Sequence, residues 1–404
     1  MLLSWIMDLS SGKRVGLYCS DVSGAFDRLS PSRLHKKLQA KGVHPQLLAV
    51  LHSWLEDRSA VVIVDGIHSD PGPLRNSVYQ GTVLGPPLWN CYYEDSRLAV
   101  NAEGFAEIVF ADDLNCFKSF DRYEADAVVL DGLRSCQTSL HKWGAANQVQ
   151  FDPGKESFHI LDSRNPFGED FTIFGIHFDT RLVMQTAAHD IAAQAGWRVR
   201  SLLRCRRFFS NASLAMLYKS HILSFIEFGT AALYHAPAFM LLPVDRVQEL
   251  FVSELGISSR EALLELNLAP LSTRRDIAML GLLHRISSGK APPQFSKFIF
   301  PPSSLHFPRD LHHRAGRHNR QLHDPIDGTH SRMMERSLFG AIYTFNVLPQ
   351  SVVNAKTTSR FQHELQNAVK ALARNYSPEW DTLLRTGVRN MSGARFQSCF
   401  ANRS

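Results

Sequence analysis

Apolar and polar positions along the chain follow two rhythms, short β-like runs at first and helical periods from about residue 187 onward. Residues 14–20 form a brief apolar run ending at Asp21, the pattern of a buried strand. Ser30-Pro31 supplies an N-cap and a proline at the first helical position, so a helix should open there and stop near Gly42. Residues 45–57 continue as an amphipathic helix. Residues 60–64 are β-branched and meet Asp65-Gly66, which predicts a hairpin turn. Residues 85–100 predict one helix begun by Pro86-Pro87. In residues 108–117 two apolar arms flank Asp112-Asp113, which predicts a β-hairpin with the aspartates at its bend.

Helical periodicity returns at 122–143, and strand candidates follow at 157–161 and 171–178. Beyond them the pattern predicts helices at 187–208, 212–233, 244–255 and 277–287. Residues 300–329 are rich in Pro, His, Gly and Arg and read as a linker or irregular segment. Two more helices are expected at 332–347 and 358–373.

Composition narrows the class. The 404 residues are 44% hydrophobic and 20% charged, which places the chain with folded globular proteins of two or three domains. A net charge of +6 modestly favours a polyanionic partner. The six cysteines are scattered without a Cys-x-x-Cys pair, which argues against a zinc knuckle and for a reducing compartment. No run approaches the roughly 18 apolar residues of a membrane span, and residues 1–7 lack the basic start and cleavage site of a signal peptide.

The chemistry concentrates in three places. Asp21-Val22-Ser23-Gly24-Ala25-Phe26-Asp27 follows the first strand. Gln80-Gly81-Thr82-Val83-Leu84-Gly85-Pro86 is glycine-rich. Phe110-Ala111-Asp112-Asp113 ends an apolar run. Hard divalent cations such as Mg²⁺ prefer carboxylate and phosphate oxygens, and a two-metal centre needs carboxylates on rigid neighbouring strands. Asp21 and Asp112 suit that requirement, with Asp113 adjacent. The plainer alternative is two unrelated strand-end turns carrying solvated aspartates.

These elements, in this order, resemble the reverse transcriptases of non-LTR (LINE-type) retrotransposons. Asp21 to Phe26 resembles their motif A, Gln80-Gly81 with Leu84-Gly85-Pro86 motif B, and Phe110 to Asp113 motif C. Residues 140–155, from Leu140-His141-Lys142-Trp143 through Asn147 to Lys155, resemble motif D. Phe171 to Ile176 resembles the primer grip. The resemblance implies an α+β fold: a polymerase palm, an antiparallel sheet with packed helices and fingers largely missing, then a helical thumb and a helical C-terminal tail. The implied domains are a palm at 1–185, a thumb-like region at 186–295, a linker at 296–330 and a small helical region at 331–404. Motif A begins about twenty residues from Met1, so the chain is expected to be an N-terminally truncated portion of a longer polymerase.

By the same resemblance, Asp21 and Asp112 bind two Mg²⁺ ions (or Mn²⁺), assisted by the Val22 carbonyl, and Asp113 sits beside them. Phe26 lies under the sugar of the incoming nucleotide and excludes a 2′-hydroxyl; from the residues alone it reads as a core phenylalanine after a strand. Gln80 and Gly81 contact nucleotide and template; an ordinary loop before a helix is the alternative. Lys155 gives a proton to the leaving pyrophosphate, with a solvent-exposed lysine of the turn Asp152-Pro153-Gly154-Lys155 as an equal alternative. The implied activity is RNA-directed DNA polymerisation from dNTPs on a DNA primer and an RNA template, without a membrane partner, in the nucleus and cytoplasm. Arg198, Arg204 and Arg207 of the arginine-rich segment 197–209 would meet nucleic-acid phosphates; a solvated helix face is the alternative. His306, His312, His313, His318, His323 and His330 read as part of a basic RNA-contacting linker or an irregular surface, with metal binding the less favoured alternative. Two rival readings stay open: a non-catalytic nucleic-acid-binding remnant, and a group II intron maturase-like polymerase.

Overall fold

The structure is a computed structural model that describes residues 1–302, 318–326, 331–387 and 391–401. Its chain contacts divide it into two units, Ser11–Glu169 and a second made of Met1–Ser10 with Asp170–Ser404.

In the first unit the apolar run forms β1 (Arg14–Ser20), buried along its whole length. It lies inside a four-stranded antiparallel sheet with β6 (Ala106–Phe110), β7 (Asp113–Phe120) and β8 (Ser157–Leu161), in the order β6-β7-β1-β8. A strand buried on both faces reads as a continuous apolar run rather than an alternating one, and Leu17 and Tyr18 are both fully buried. Helix α6 (Asp126–Asn147) packs on this sheet through Val129, Leu133, Cys136 and Leu140. Gly16 of β1 lets it approach, since a Cβ there would stand 3.0 Å from Val129 Cγ1.

The same core receives α2 (Pro31–Ala40), α3 (Pro45–Leu55) and α4 (Gly85–Tyr93). Asp65 and Gly66 both take positive φ and close a short hairpin between β3 (Ile63–Val64) and β4 (Ile67–His68). It is flanked by β2 (Ser59–Ala60) paired with β5 (Gly72–Pro73). The single helix expected at 85–100 is two, α4 and α5 (Ser96–Ala102). A cavity of about 470 Å³ lies against α2 and α3, and its lining includes no acidic-site residue.

In the second unit, α1 (Leu2–Ser10) sets Trp5 edge-on to Phe171 and Phe178, at 6.3 and 6.2 Å between ring centroids. Those rings belong to the hairpin β9 (Phe171–Ile173) and β10 (Ile176–Phe178), turned at Phe174-Gly175 with positive φ at both. Helix α7 (Gln185–Arg204) follows, then helices including Ala238–Glu254, Leu271–Ser287, Leu338–Val347 and Thr358–Arg374. A shared apolar core built on Leu280, Leu283, Phe339, Phe345 and Phe361 joins the last three, while α7 packs on Ala238–Glu254. This partition differs from the boundaries at 185, 295 and 330. The strand pair groups with the helices, residues 1–10 join it from the other end of the chain, and the segments at 186–295 and 331–404 share one core. The reason is contact between apolar surfaces far apart in sequence, which no local periodicity reports. Among the described residues no helix is long and apolar enough to cross a membrane.

Candidate active site

Antiparallel pairing brings two acidic segments together. The register that sets Ser20 opposite Leu114 carries Asp21 to the level of Asp113. Opposed residues of an antiparallel pair project to one face. The β6–β7 hairpin closes with Phe110 paired to Asp113, leaving Ala111-Asp112 as a two-residue bend. Ala111 holds φ +56°, a conformation that glycine adopts more readily. Trp89 Nε1 donates to the Ala111 carbonyl at 2.7 Å and fixes the bend. Backbone strain held by its surroundings clusters at functional sites.

The electrostatics report the crowding. Asp113 has its pKa raised, first by burial and then by the charges of Asp112 and Asp21. Tyr93, on α4, is pushed well above its ordinary value by burial, with Cys116, Asp112, Asp21 and Asp113 adding to it. Sequence reasoning missed Trp89 and Tyr93. They read as core aromatics of a helix, and the Trp89 ring does stack on Tyr93 at 5.0 Å.

A second backbone link carries Lys155 to the same place. Ser23 N–H donates to the Gln150 carbonyl at 2.8 Å, and Asp152 N–H donates to the Asp21 carbonyl at 3.0 Å. Val22 faces Phe151 between these bonds, so the bridge does not consume the Val22 carbonyl. The Asp152–Lys155 turn closes through Gly154 N–H to Asp152 Oδ1 at 3.0 Å. Lys155 Nζ then stands 2.5 Å from Asp21 Oδ2. That hydrogen bond, and the Asp21 charge, raise the lysine pKa. Beside it Glu156 accepts from Tyr18 Oη and Gln137 Nε2 and meets His141 Nε2 at 2.7 Å, which anchors the end of the turn to β1 and α6.

Phe26 packs its ring against Trp89, 5.9 Å between centroids, and its carbonyl accepts from Val78 N–H at 2.8 Å. This bond ties the glycine-rich loop to the first acidic loop. Gln80 and Gly81 are exposed in that loop, with Gly81 at φ +79°. The Thr82 hydroxyl donates to Tyr79 O at 2.8 Å and accepts from Gly85 N–H, which shapes the turn into α4. The Arg58 guanidinium covers the Tyr79 ring at 5.0 Å.

Asp21, Asp112 and Asp113 are a hard-oxygen donor set, suited to Mg²⁺ or Mn²⁺. Among the described residues, however, no group of three or more His, Cys, Asp or Glu is arranged to hold an ion. The Lys155 ammonium is the positive charge paired with Asp21. The donor chemistry fits a divalent ion, and the crowding that raises Asp113 is what a positive charge would relieve.

Arg198, Arg204 and Arg207 lie in the other unit. Arg198 is engaged, donating to the His221 carbonyl at 3.3 Å and stacking on Phe225 at 3.9 Å. Arg204 is exposed at the end of α7, and Arg207 covers Phe208 at 4.7 Å. Of the six histidines in the Pro/His/Arg segment, His306, His312, His313 and His330 lie outside the described residues. His318 is buried with Nε2 at 2.9 Å from the Phe345 carbonyl, and His323 stacks on Phe300.

No protein-family model matches the chain. The RNA-directed DNA polymerase from mobile element jockey of Drosophila melanogaster is 43% identical over 77 residues, 19% of this chain and 8% of that protein. The polymerase of the same name from Drosophila funebris is 32% identical over 143 residues, 33% of this chain and 15% of that protein. The probable RNA-directed DNA polymerase from transposon BS of Drosophila melanogaster is 31% identical over 153 residues, 34% of this chain and 16% of that protein. The chain thus matches at most 16% of the length of these relatives. Telomerase from Candida albicans, solved in complex with a fragment of telomeric RNA, superposes with a TM-score of 0.31 and 12% identity over 73% of this chain and 51% of that one, too loosely to carry an argument. In sequence, then, the chain is similar to RNA-directed DNA polymerases of mobile elements.

Proposed function

We propose that this chain carries the polymerising centre of an RNA-directed DNA polymerase of a non-LTR mobile element. The observation that bears most weight is the meeting of Asp21 with the Asp112-Asp113 bend across the β1–β7 ladder, beside a lysine delivered by a separate loop. The sequence similarity to mobile-element polymerases supports the choice of reaction.

In this reading Asp21, Asp112 and the Val22 carbonyl hold two divalent cations, with Asp113 close by. When bound, such ions activate a primer 3′-hydroxyl and stabilise the leaving pyrophosphate. The chain's own groups do the rest. The Phe26 ring, held by Trp89, forms the floor for a deoxyribose and leaves no room for a 2′-hydroxyl. The exposed Gln80-Gly81 turn lets nucleotide and template approach the backbone. Lys155, kept protonated by Asp21, supplies a proton to the departing pyrophosphate oxygen. An RNA template, a DNA primer and dNTPs are the implied substrates.

Primer extension tests the proposal. The full chain with Mg²⁺, dNTPs and a DNA primer on an RNA template is expected to lengthen the primer, and Asp112→Ala is expected to reduce extension to background. Extension that survives the substitution excludes these ligands. A wild-type chain that binds the hybrid in a salt-dependent way but adds nothing points instead to a non-catalytic remnant.

A further inference from the structure

One side of α4 is built on a four-residue spacing. Gly85, Trp89 and Tyr93 are all buried and lie one above another on the helix. At the start of α4 a Cβ on Gly85 would stand 3.5 Å from Phe26 Cε1, so the edge of the Phe26 ring rests over bare backbone there. One turn on, the Trp89 ring lies 5.9 Å from the same phenylalanine, tilted by 41°. The indole Nε1 reaches the Ala111 carbonyl of the β6–β7 bend at 2.7 Å. A second turn on, Tyr93 stacks on the indole with 18° between planes and meets Trp143 of α6 edge-on at 5.4 Å, which holds the indole plane.

A phenylalanine or leucine would fill this space without burying a donor. Indole brings an N–H that needs a partner when buried, and Trp89 is 1% exposed. Its acceptor is the carbonyl of Ala111, whose φ of +56° is costly for a residue with a Cβ. The bond therefore acts where the backbone least favours its own conformation, one residue before Asp112. The ring acts elsewhere. Phe26 is half-buried, and Gly85 and Trp89 support it from α4. Loss of the indole ring would let Phe26 sink toward the helix, whereas loss of the N–H alone would not.

We propose that Trp89 is a positioning residue with two separable tasks: its N–H holds the Ala111-Asp112 bend beside Asp21, and its ring sets the height of Phe26 and so the strictness with which a 2′-hydroxyl is excluded. The inference rests on the polymerising function proposed above. It adds that one buried side chain couples ion binding at the bend to sugar selection at Phe26. Trp89 works through Ala111 and Phe26 and needs no contact of its own with ion or nucleotide. Residues that orient metal-binding carboxylates from behind affect metal affinity strongly, and a single displaced support beneath a reacting group is enough to alter selection.

The test compares the full chain with its Trp89→Phe and Trp89→Leu variants, every value being referred to the folded fraction from urea denaturation. Trp89→Phe keeps a ring and removes the donor. It should bind Mn²⁺ about tenfold more weakly in electron paramagnetic resonance and lower kcat for primer extension about tenfold. Its ratio of kcat/KM for dNTP over rNTP should change by less than about twofold. Trp89→Leu removes both donor and ring, and there the same ratio should fall about fivefold or more. Wild-type Mn²⁺ affinity and kcat in Trp89→Phe overturn the proposal. Sugar selection relaxed as far in Trp89→Phe as in Trp89→Leu overturns it too, as do losses that vanish once referred to the folded fraction. A wild-type chain that binds Mn²⁺ more tightly than Trp89→Phe yet extends no primer supports the task at the bend and counts against the polymerase reading.

Discussion

Lys155 is the residue on which the acidic centre turns. Its ammonium holds Asp21 at 2.5 Å, and its charge opposes the rise in the Asp113 pKa that burial, and then the Asp112 and Asp21 charges, produce. A divalent ion entering this place competes with the lysine for one carboxylate. Removal of the lysine should therefore leave the centre more negative and more attractive to an ion, even as it removes the proposed proton donor. Sequence alone gave this residue two equal readings, a proton donor and an ordinary turn lysine. The turn Asp152-Pro153-Gly154-Lys155 was visible, but the link from Asp152 N–H to Asp21 O joins residues 131 apart and leaves no local trace. Phe26 is similar. It was legible as a ring after a strand, whereas its partner Trp89 was hidden among the apolar positions of α4.

At the scale of elements, close packing fixes how α6 delivers the loop that follows it. Gly144 lies in the last turn of α6, where a Cβ would stand 2.7 Å from the Val149 carbonyl and 2.9 Å from Phe151 Cε2. Overpacking of this kind costs about 1–3 kcal/mol, more than the ~1 kcal/mol that alanine gains over glycine in a helix. Gly144→Ala is thus expected to lower stability in urea denaturation. Gly196→Ala, where a Cβ meets only the mobile end of the Arg200 side chain at 3.4 Å, is the contrast and should be neutral or slightly stabilising. Equal effects of the two would refute the packing argument. Elements themselves were legible where local signals agreed: β1 from its apolar run, α2 from Ser30-Pro31, the β6–β7 hairpin from two apolar arms around the aspartates. The helix Ser259–Leu266 was missed although Ser258 and Glu261 form its capping box. Its eight residues are too few to show a period, and the cap was the available signal. Residues 85–100 were read as one helix because apolar positions continue across the break at Glu94-Asp95.

For the whole molecule, stability should depend on acid through a buried histidine. His235 sits in the second unit with Nε2 at 3.0 Å from the Leu182 carbonyl, and burial presses its pKa down to about 4. The Arg336 charge acts in the same direction, while the Leu182 bond and the Asp179 charge oppose it. An unfolded histidine titrates near 6.5. Above that value both states are neutral and the group favours neither. As pH falls below about 6.5 the unfolded chain takes up a proton that the folded chain refuses until about 4, so stability falls across this window by about 3 kcal/mol. Urea midpoints measured from pH 7 to 4 should decline more steeply in the wild type than in His235→Gln, which cannot titrate. Parallel declines would show that His235 is not the origin. The two-unit partition was the least legible feature of the chain, since it rests on Trp5 meeting Phe171 and Phe178 across more than 160 residues. The most direct test of the central claim, that Asp21 and Asp112 converge on one divalent site, is titration of the full chain with Mn²⁺ followed by electron paramagnetic resonance. The account predicts binding by the wild type, at least tenfold weaker binding in Asp21→Asn and in Asp112→Asn, and tighter binding in Lys155→Met. Identical titrations in all four proteins would contradict it.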